Sequence, residues 1–117
     1  MPGPGILAEY PPAQERTLTV LVKVFPIKLQ DGMQDKVEAV VREFAPQGPG
    51  AEDGTVSFRV YRDTAKPDYL LFVEHFADQA AYDAHTSSPA YRDLIAGQFA
   101  SMIVDFTELD HERVVGL

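Results

Sequence analysis

The sequence contains no cysteine, no tryptophan and no asparagine. The missing thiols exclude disulfides, zinc-thiolate centres, iron-sulfur ligation and thiol nucleophiles together, and they fit a reducing compartment, so a cytoplasmic protein is expected. Basic residues are scarce as well. Ten Lys and Arg stand against eighteen Asp and Glu, a formal charge of -8 that repels phosphate backbones and anionic headgroups. Neither nucleic acid nor a membrane surface is an expected partner. The most apolar stretch, Leu18 to Leu29, is broken by Lys23, Pro26 and Lys28 and is too short to span a bilayer. The first basic residue is Arg16, preceded by a Pro/Gly-rich segment, so no secretory leader is expected.

What is present fits one small globular domain. The 117 residues are 45% hydrophobic, enough for one core and not two. Residues 1–16, with Pro2, Gly3, Pro4, Gly5, Pro11 and Pro12, read as an extended arm, and 17–117 as the domain. Leu18 to Phe25 is β-branched and aromatic and reads as a strand, apolar on both faces. Asp31 and Gln34 resemble a capping box ahead of a helix whose stripe is Met33, Val37, Val40, Val41 and Phe44. The helix is expected to stop at Pro46-Gln47-Gly48-Pro49-Gly50. Alternation then predicts strands over Thr55–Asp63 and Tyr69–Ala77, with Leu70, Phe72, Glu74 and Phe76 on one face of the second. Asp78 and Ser88-Pro89 cap two pieces of a broken helical region, and Ser101–Val114 returns to strand.

The resulting β-α-β-β-α-β order predicts an α+β, ferredoxin-like sandwich with both helices on one face of a four-stranded antiparallel sheet. Leu71 and Val73 then make the other face apolar. A second subunit packing its own sheet there is the expected cover, with the N-terminal arm as the alternative.

No dinucleotide fingerprint, Walker motif, nucleophile elbow or helical metalloprotease motif is present. His75, His85 and His111 lie on different elements with no ligand spacing, so no metal site is expected. Glu74 is the residue that needs explaining, because a carboxylate among Leu70, Phe72 and Phe76 is costly without a partner. His85, eleven residues later and past one short helix, can return to the same face. Such a pair fixes the imidazole tautomer and makes a general base, or it merely locks a helix onto the sheet. Tyr82 and Tyr91 read as packed rings with hydroxyls reaching solvent, and Arg59, Arg62 and Arg92 as surface or interface charges.

Glu74-x-Phe76-x-Asp78-x-x-Ala81-x-x-x-His85-x-x-Ser88-Pro89-x-Tyr91 resembles the signature of the antibiotic biosynthesis monooxygenases, and Gly54-x-Val56-x-Phe58-x-Val60-x-x-Asp63 fits the same family. The resemblance spans about Leu18 to Val114 and implies a dimeric α/β barrel, two ferredoxin-like sheets packed face to face. Activities in such a family include cofactor-free oxygenation of quinols and polyketide phenols, haem degradation, and isomerisation of a small phosphorylated dione. Haem-degrading relatives use an Asn, a Trp and a His, and this chain lacks the first two. Polyketide-oxidising relatives carry Asn and Trp where Phe72 and Phe76 stand here, and their helical Tyr corresponds to Tyr82. The resemblance therefore implies a homodimeric monooxygenase that oxidises a small aromatic with molecular oxygen and no cofactor. His85, Glu74 and Tyr82 would be the catalytic set, and Phe58, Phe72, Phe76 and Tyr91 the substrate walls. An isomerase using the same base and a non-catalytic ligand-binding dimer remain as alternatives.

Overall fold

A computed structural model describes residues 20–116, so the expected arm lies outside the described residues. The elements follow in the order β1 (Leu21–Leu29), α1 (Gln34–Gln47), β2 (Thr55–Arg62), β3 (Tyr69–Phe76), α2 (Gln79–Thr86), a π-helix (Tyr91–Gln98), β4 (Ile103–Phe106) and β5 (Leu109–Glu112). Short 3₁₀ turns at Pro49–Ala51 and Phe99–Met102 join them. The sheet is antiparallel with order β2-β3-β1-β4, and β5 also pairs with β1. This is the ferredoxin-like α+β sandwich, with β1 central.

Two local expectations need correction. The strand expected over Ser101–Val114 is two strands, because its partner β1 runs on past Phe25 and places Pro26 at the seam. Proline cannot donate to a ladder. Ile27 pairs with Phe106 and Val24 with Leu109, and the chain between them breaks register, held by Thr107 N–H donating to Pro26 O at 3.2 Å. Asp31 does not cap α1, since Met33 takes the N-cap position without a side-chain hydrogen bond. A turn closed by Met33 N–H to Gln30 O, with Gly32 at φ +74°, carries the chain into the helix instead. The second helical region is wound as a π-helix from Tyr91 onward, a form often found beside functional sites.

The other local signals hold. Asp78 accepts from Ala81 N–H at 2.8 Å, and Ser88 Oγ accepts from Tyr91 N–H at 3.1 Å. Val37, Val40, Val41 and Phe44 of α1 are buried against Ile27, Leu29, Leu70 and Phe72. A fully buried side chain of this size contributes about 1.5–3 kcal/mol, so this layer carries much of the fold. Arg62 of β2 pairs with Glu38 of α1 and ties the helix to the sheet edge. At the other end Gly54 lets α2 approach, for a Cβ there would stand 2.4 Å from that of Ala81. That contact sets how close α2, and His85 with it, lies to the sheet.

On the opposite face Leu71, Tyr61 and Leu109 are exposed at 38%, 50% and 41%, with Val24 and Val73 half-buried beside them. No described residue covers this apolar strip. Among the described residues no helix is long and apolar enough to cross a membrane.

Candidate active site

A cavity of about 300 Å³ opens between the sheet and the helices. Phe25, Phe58 and Phe72 floor it from the strands, Tyr82 and His85 enter from α2, and Tyr91 and Ile95 from the π-helix. Glu74 is the single carboxylate in its wall, and no Lys or Arg lines it among the described residues. The lining is otherwise almost wholly aromatic and aliphatic, as in sites that bind small apolar ligands.

His85 is 2% exposed and sits inside a cage of rings. Phe76 lies 5.0 Å from it centroid to centroid, Tyr91 5.5 Å and Phe44 5.7 Å. The alternation of β3 puts Glu74 on the same side as Phe72 and Phe76, as its sequence requires. The pair nevertheless differs from the expected hydrogen bond. Glu74 Oε1 stands 3.7 Å from His85 Nε2, close but not bonded. The hydrogen-bonded partner is Glu52, whose Oε1 lies 2.8 Å from Nδ1. Nothing in the sequence singled out Glu52, which sits in the turn before β2 and meets His85 from 33 residues away. The signal that could have found it is Thr55, whose hydroxyl donates to the same oxygen at 2.6 Å in a local Glu-x-x-Thr turn.

Electrostatics separate the two carboxylate environments. Burial pushes the Glu74 carboxyl up to about 8, Glu52 and Glu108 add repulsion, and Lys23 opposes them. Glu74 is therefore a neutral acid near pH 7 and can donate a hydrogen bond. Tyr82 is driven up to about 12, first by burial and then by Glu108, so its hydroxyl keeps its proton. Lys23 is a second feature that sequence reading passed over: it is 4% exposed, opposite Glu74 across the β1–β3 ladder. Its ammonium donates to Asp110 at 2.7 Å and Glu108 at 2.9 Å and lies 4.5 Å from the centre of the Tyr82 ring. Burial works against that charge, but the two hydrogen bonds outweigh it and hold the lysine above its ordinary value. Lys23 thus fastens β5 to the sheet and is not free to bind an anion.

Of the residues expected at the site, His85, Glu74, Tyr82, Phe58, Phe72 and Tyr91 all border the cavity. Phe76 does not. It is fully buried beneath His85 and Tyr82, so it supports the imidazole from below and is no substrate wall. Among the described residues no three His, Asp or Glu side chains converge to hold a metal ion.

The family model for antibiotic biosynthesis monooxygenase matches residues 20–97, which carry Phe58, Phe72, Glu74, Tyr82, His85 and Tyr91 of this cavity. The chain belongs to that family. Among solved structures it is similar to a Pseudomonas aeruginosa protein at 16% identity and TM-score 0.77, over 85% of this chain and 98% of that one. A protein from Bacteroides thetaiotaomicron aligns at 18% identity and TM-score 0.76, covering 83% and 91% of the two chains. A third structure, described as an antibiotic biosynthesis monooxygenase, aligns at 20% and 0.74 over 81% and 99%. At these identities the likeness establishes the fold alone. No curated protein matches the chain significantly. Membership nonetheless places it among monooxygenase-like proteins that bind small molecules.

Proposed function

We propose that the protein is a cytoplasmic homodimeric monooxygenase that oxidises a small aromatic hydroquinone, phenol or polyketide-like phenol with molecular oxygen, without metal or flavin. The observation that carries this reading is the aromatic-lined cavity in which the His85 imidazole and the Glu74 carboxyl stand 3.7 Å apart. With Nδ1–H donated to Glu52, the free lone pair of His85 is on Nε2, facing the cavity side. A substrate hydroxyl placed between Nε2 and the Glu74 carboxyl gives its proton to the first and accepts a hydrogen bond from the second. The resulting phenolate, shielded from water, transfers one electron to oxygen. Superoxide and the phenoxyl radical then combine at the activated carbon. The peroxide takes back the proton from His85, and loss of water leaves a carbonyl: for an anthrone-type methylene, one oxygen atom enters the product and the other leaves as water with both methylene hydrogens. The substrate supplies all the electrons.

The test is oxygen uptake by the purified protein with an anthrone and a panel of hydroquinones, in the presence of a metal chelator. The expected result for the anthrone is one oxygen consumed per quinone formed, well above the rate in buffer and without peroxide release. No acceleration with any of them would overturn the reading. Among the described residues no free cation lines the wall, which speaks against a phosphorylated substrate and so against isomerisation of a phosphorylated dione.

The dimer rests on the uncovered strip of Leu71, Tyr61 and Leu109. An exposed apolar sheet face of this kind is characteristic of subunit contacts. Light scattering at micromolar concentration should give twice the chain mass, and Leu71→Glu should give a folded monomer, since a charge there is left without water in the interface. A wild-type monomer would remove the barrel.

A further inference from the structure

We infer that Glu52 is the positioning residue of the site: it fixes which nitrogen of His85 acts as the base and stabilises the imidazolium that forms when that nitrogen takes a proton. This rests on the function proposed above for the chemistry, but not for the geometry. Glu52 does not border the cavity, and its effect must pass through His85. Its Oε1 already accepts from the Thr55 hydroxyl at 2.6 Å, which anchors the carboxylate in place before His85 is counted. The same oxygen lies 2.8 Å from Nδ1, a nitrogen that can bond a carboxylate only by carrying the hydrogen. Nε2 is left with its lone pair on the side of Glu74.

The second oxygen of Glu52 adds the energetic half of the argument. Oε2 is buried and has no hydrogen-bond partner among the described residues. That oxygen has no donor to answer its charge, and the carboxylate gains an ion pair once the imidazole is protonated. The interaction is therefore stronger after proton transfer than before it, the condition for lowering a barrier and not merely tightening binding. The groups facing His85 are Glu52 from the turn before β2, Glu74 from β3, Tyr82 from its own helix and Tyr91 from the π-helix. Lys23 stands over Tyr82 and is held by Glu108 and Asp110. Of these, Glu52 alone is hydrogen-bonded to the imidazole.

Nitrogen-15 spectra of the imidazoles read the first half directly and need no substrate. At a pH where His85 is neutral, the wild type should show Nδ1 protonated and Nε2 bare, Glu52→Gln should keep that tautomer, and Glu52→Ala should shift toward protonated Nε2. Turnover of an anthrone reads the second half. Glu52→Gln, which retains the acceptor and loses the charge, should lower kcat by about 10- to 100-fold with KM unchanged. Should Glu52→Ala fail to fold, the wild-type tautomer and the Gln variant still decide. A wild-type His85 protonated at Nε2, or a Gln variant with undiminished kcat, overturns the inference. The expected tautomers in a protein that consumes no oxygen would support the assignment of Glu52 while sinking the proposed oxidation.

Discussion

Replacing His85 by alanine should slow oxygen consumption by about 10²- to 10⁴-fold, the range for loss of a positioned general base. The imidazole is the proton acceptor of the proposed reaction, and no other lining group among the described residues replaces it. Glu74 already carries its own, and the Tyr82 hydroxyl is held protonated. Truncation also removes the centre of an aromatic cage, so the fold must be followed by melting temperature alongside activity. His85→Gln is the companion variant, because its amide can still donate to Glu52 and fill part of the cage while offering no base. Both variants folded and both slow is the expected pair. A folded Gln variant with wild-type turnover would show that the proton leaves by another route.

Glu74→Gln should remove the part of the alkaline loss of stability that the Glu74 carboxyl causes. The carboxyl binds its proton more tightly in the folded chain, at about 8, than in the unfolded chain near its usual 4.5. Its contribution is therefore fully present below the unfolded value. It is lost progressively as pH rises from about 4.5 through 8, as the unfolded state ionises and the folded one does not. Across that interval the loss amounts to a few kcal/mol, each worth several degrees of melting temperature in a chain of this size. The amide of Gln does not ionise. The melting temperature of Glu74→Gln relative to wild type should accordingly rise from pH 5 to pH 9. His75, whose pKa burial lowers, contributes equally to both proteins and cancels in the difference. Parallel curves would mean that Glu74 is ionised throughout. Activity of the same variant should fall by less than that of His85→Ala, since the amide N–H can still donate to a substrate oxygen.

Elements governed by near neighbours were legible before any coordinates. The alternation in Tyr69–Phe76 placed Glu74 among Leu70, Phe72 and Phe76, and that is how β3 lies. The α1 stripe and the caps at Asp78 and Ser88 rest on contacts three or four residues apart, within reach of a local pattern. Where a local pattern met a competing turn or a distant partner, it failed. The C-terminal strand reads as continuous until it must lie beside Pro26, and Asp31 reads as a cap until the turn at Gly32 carries the chain past it. Phe76 carries the right residue type on the right face, but whether a ring lines a cavity or lies beneath it depends on how close α2 comes. That distance is set by Gly54 against Ala81.

The amino-acid order by itself therefore determined the β-α-β-β-α-β succession, the burial of Glu74 and the return of His85 to its side of the sheet, because side-chain periods of two and 3.6 residues are properties of the local backbone. Only the tertiary structure decided which carboxylate holds the imidazole. Glu52 and His85 are 33 residues apart, and Lys23 finds Glu108 and Asp110 across 85 and 87. Hydrogen bonds of that reach have no sequence period. They depend on where loops end after the core has packed, and a shift of 1 Å converts the 2.8 Å contact of Glu52 into the 3.7 Å separation seen at Glu74.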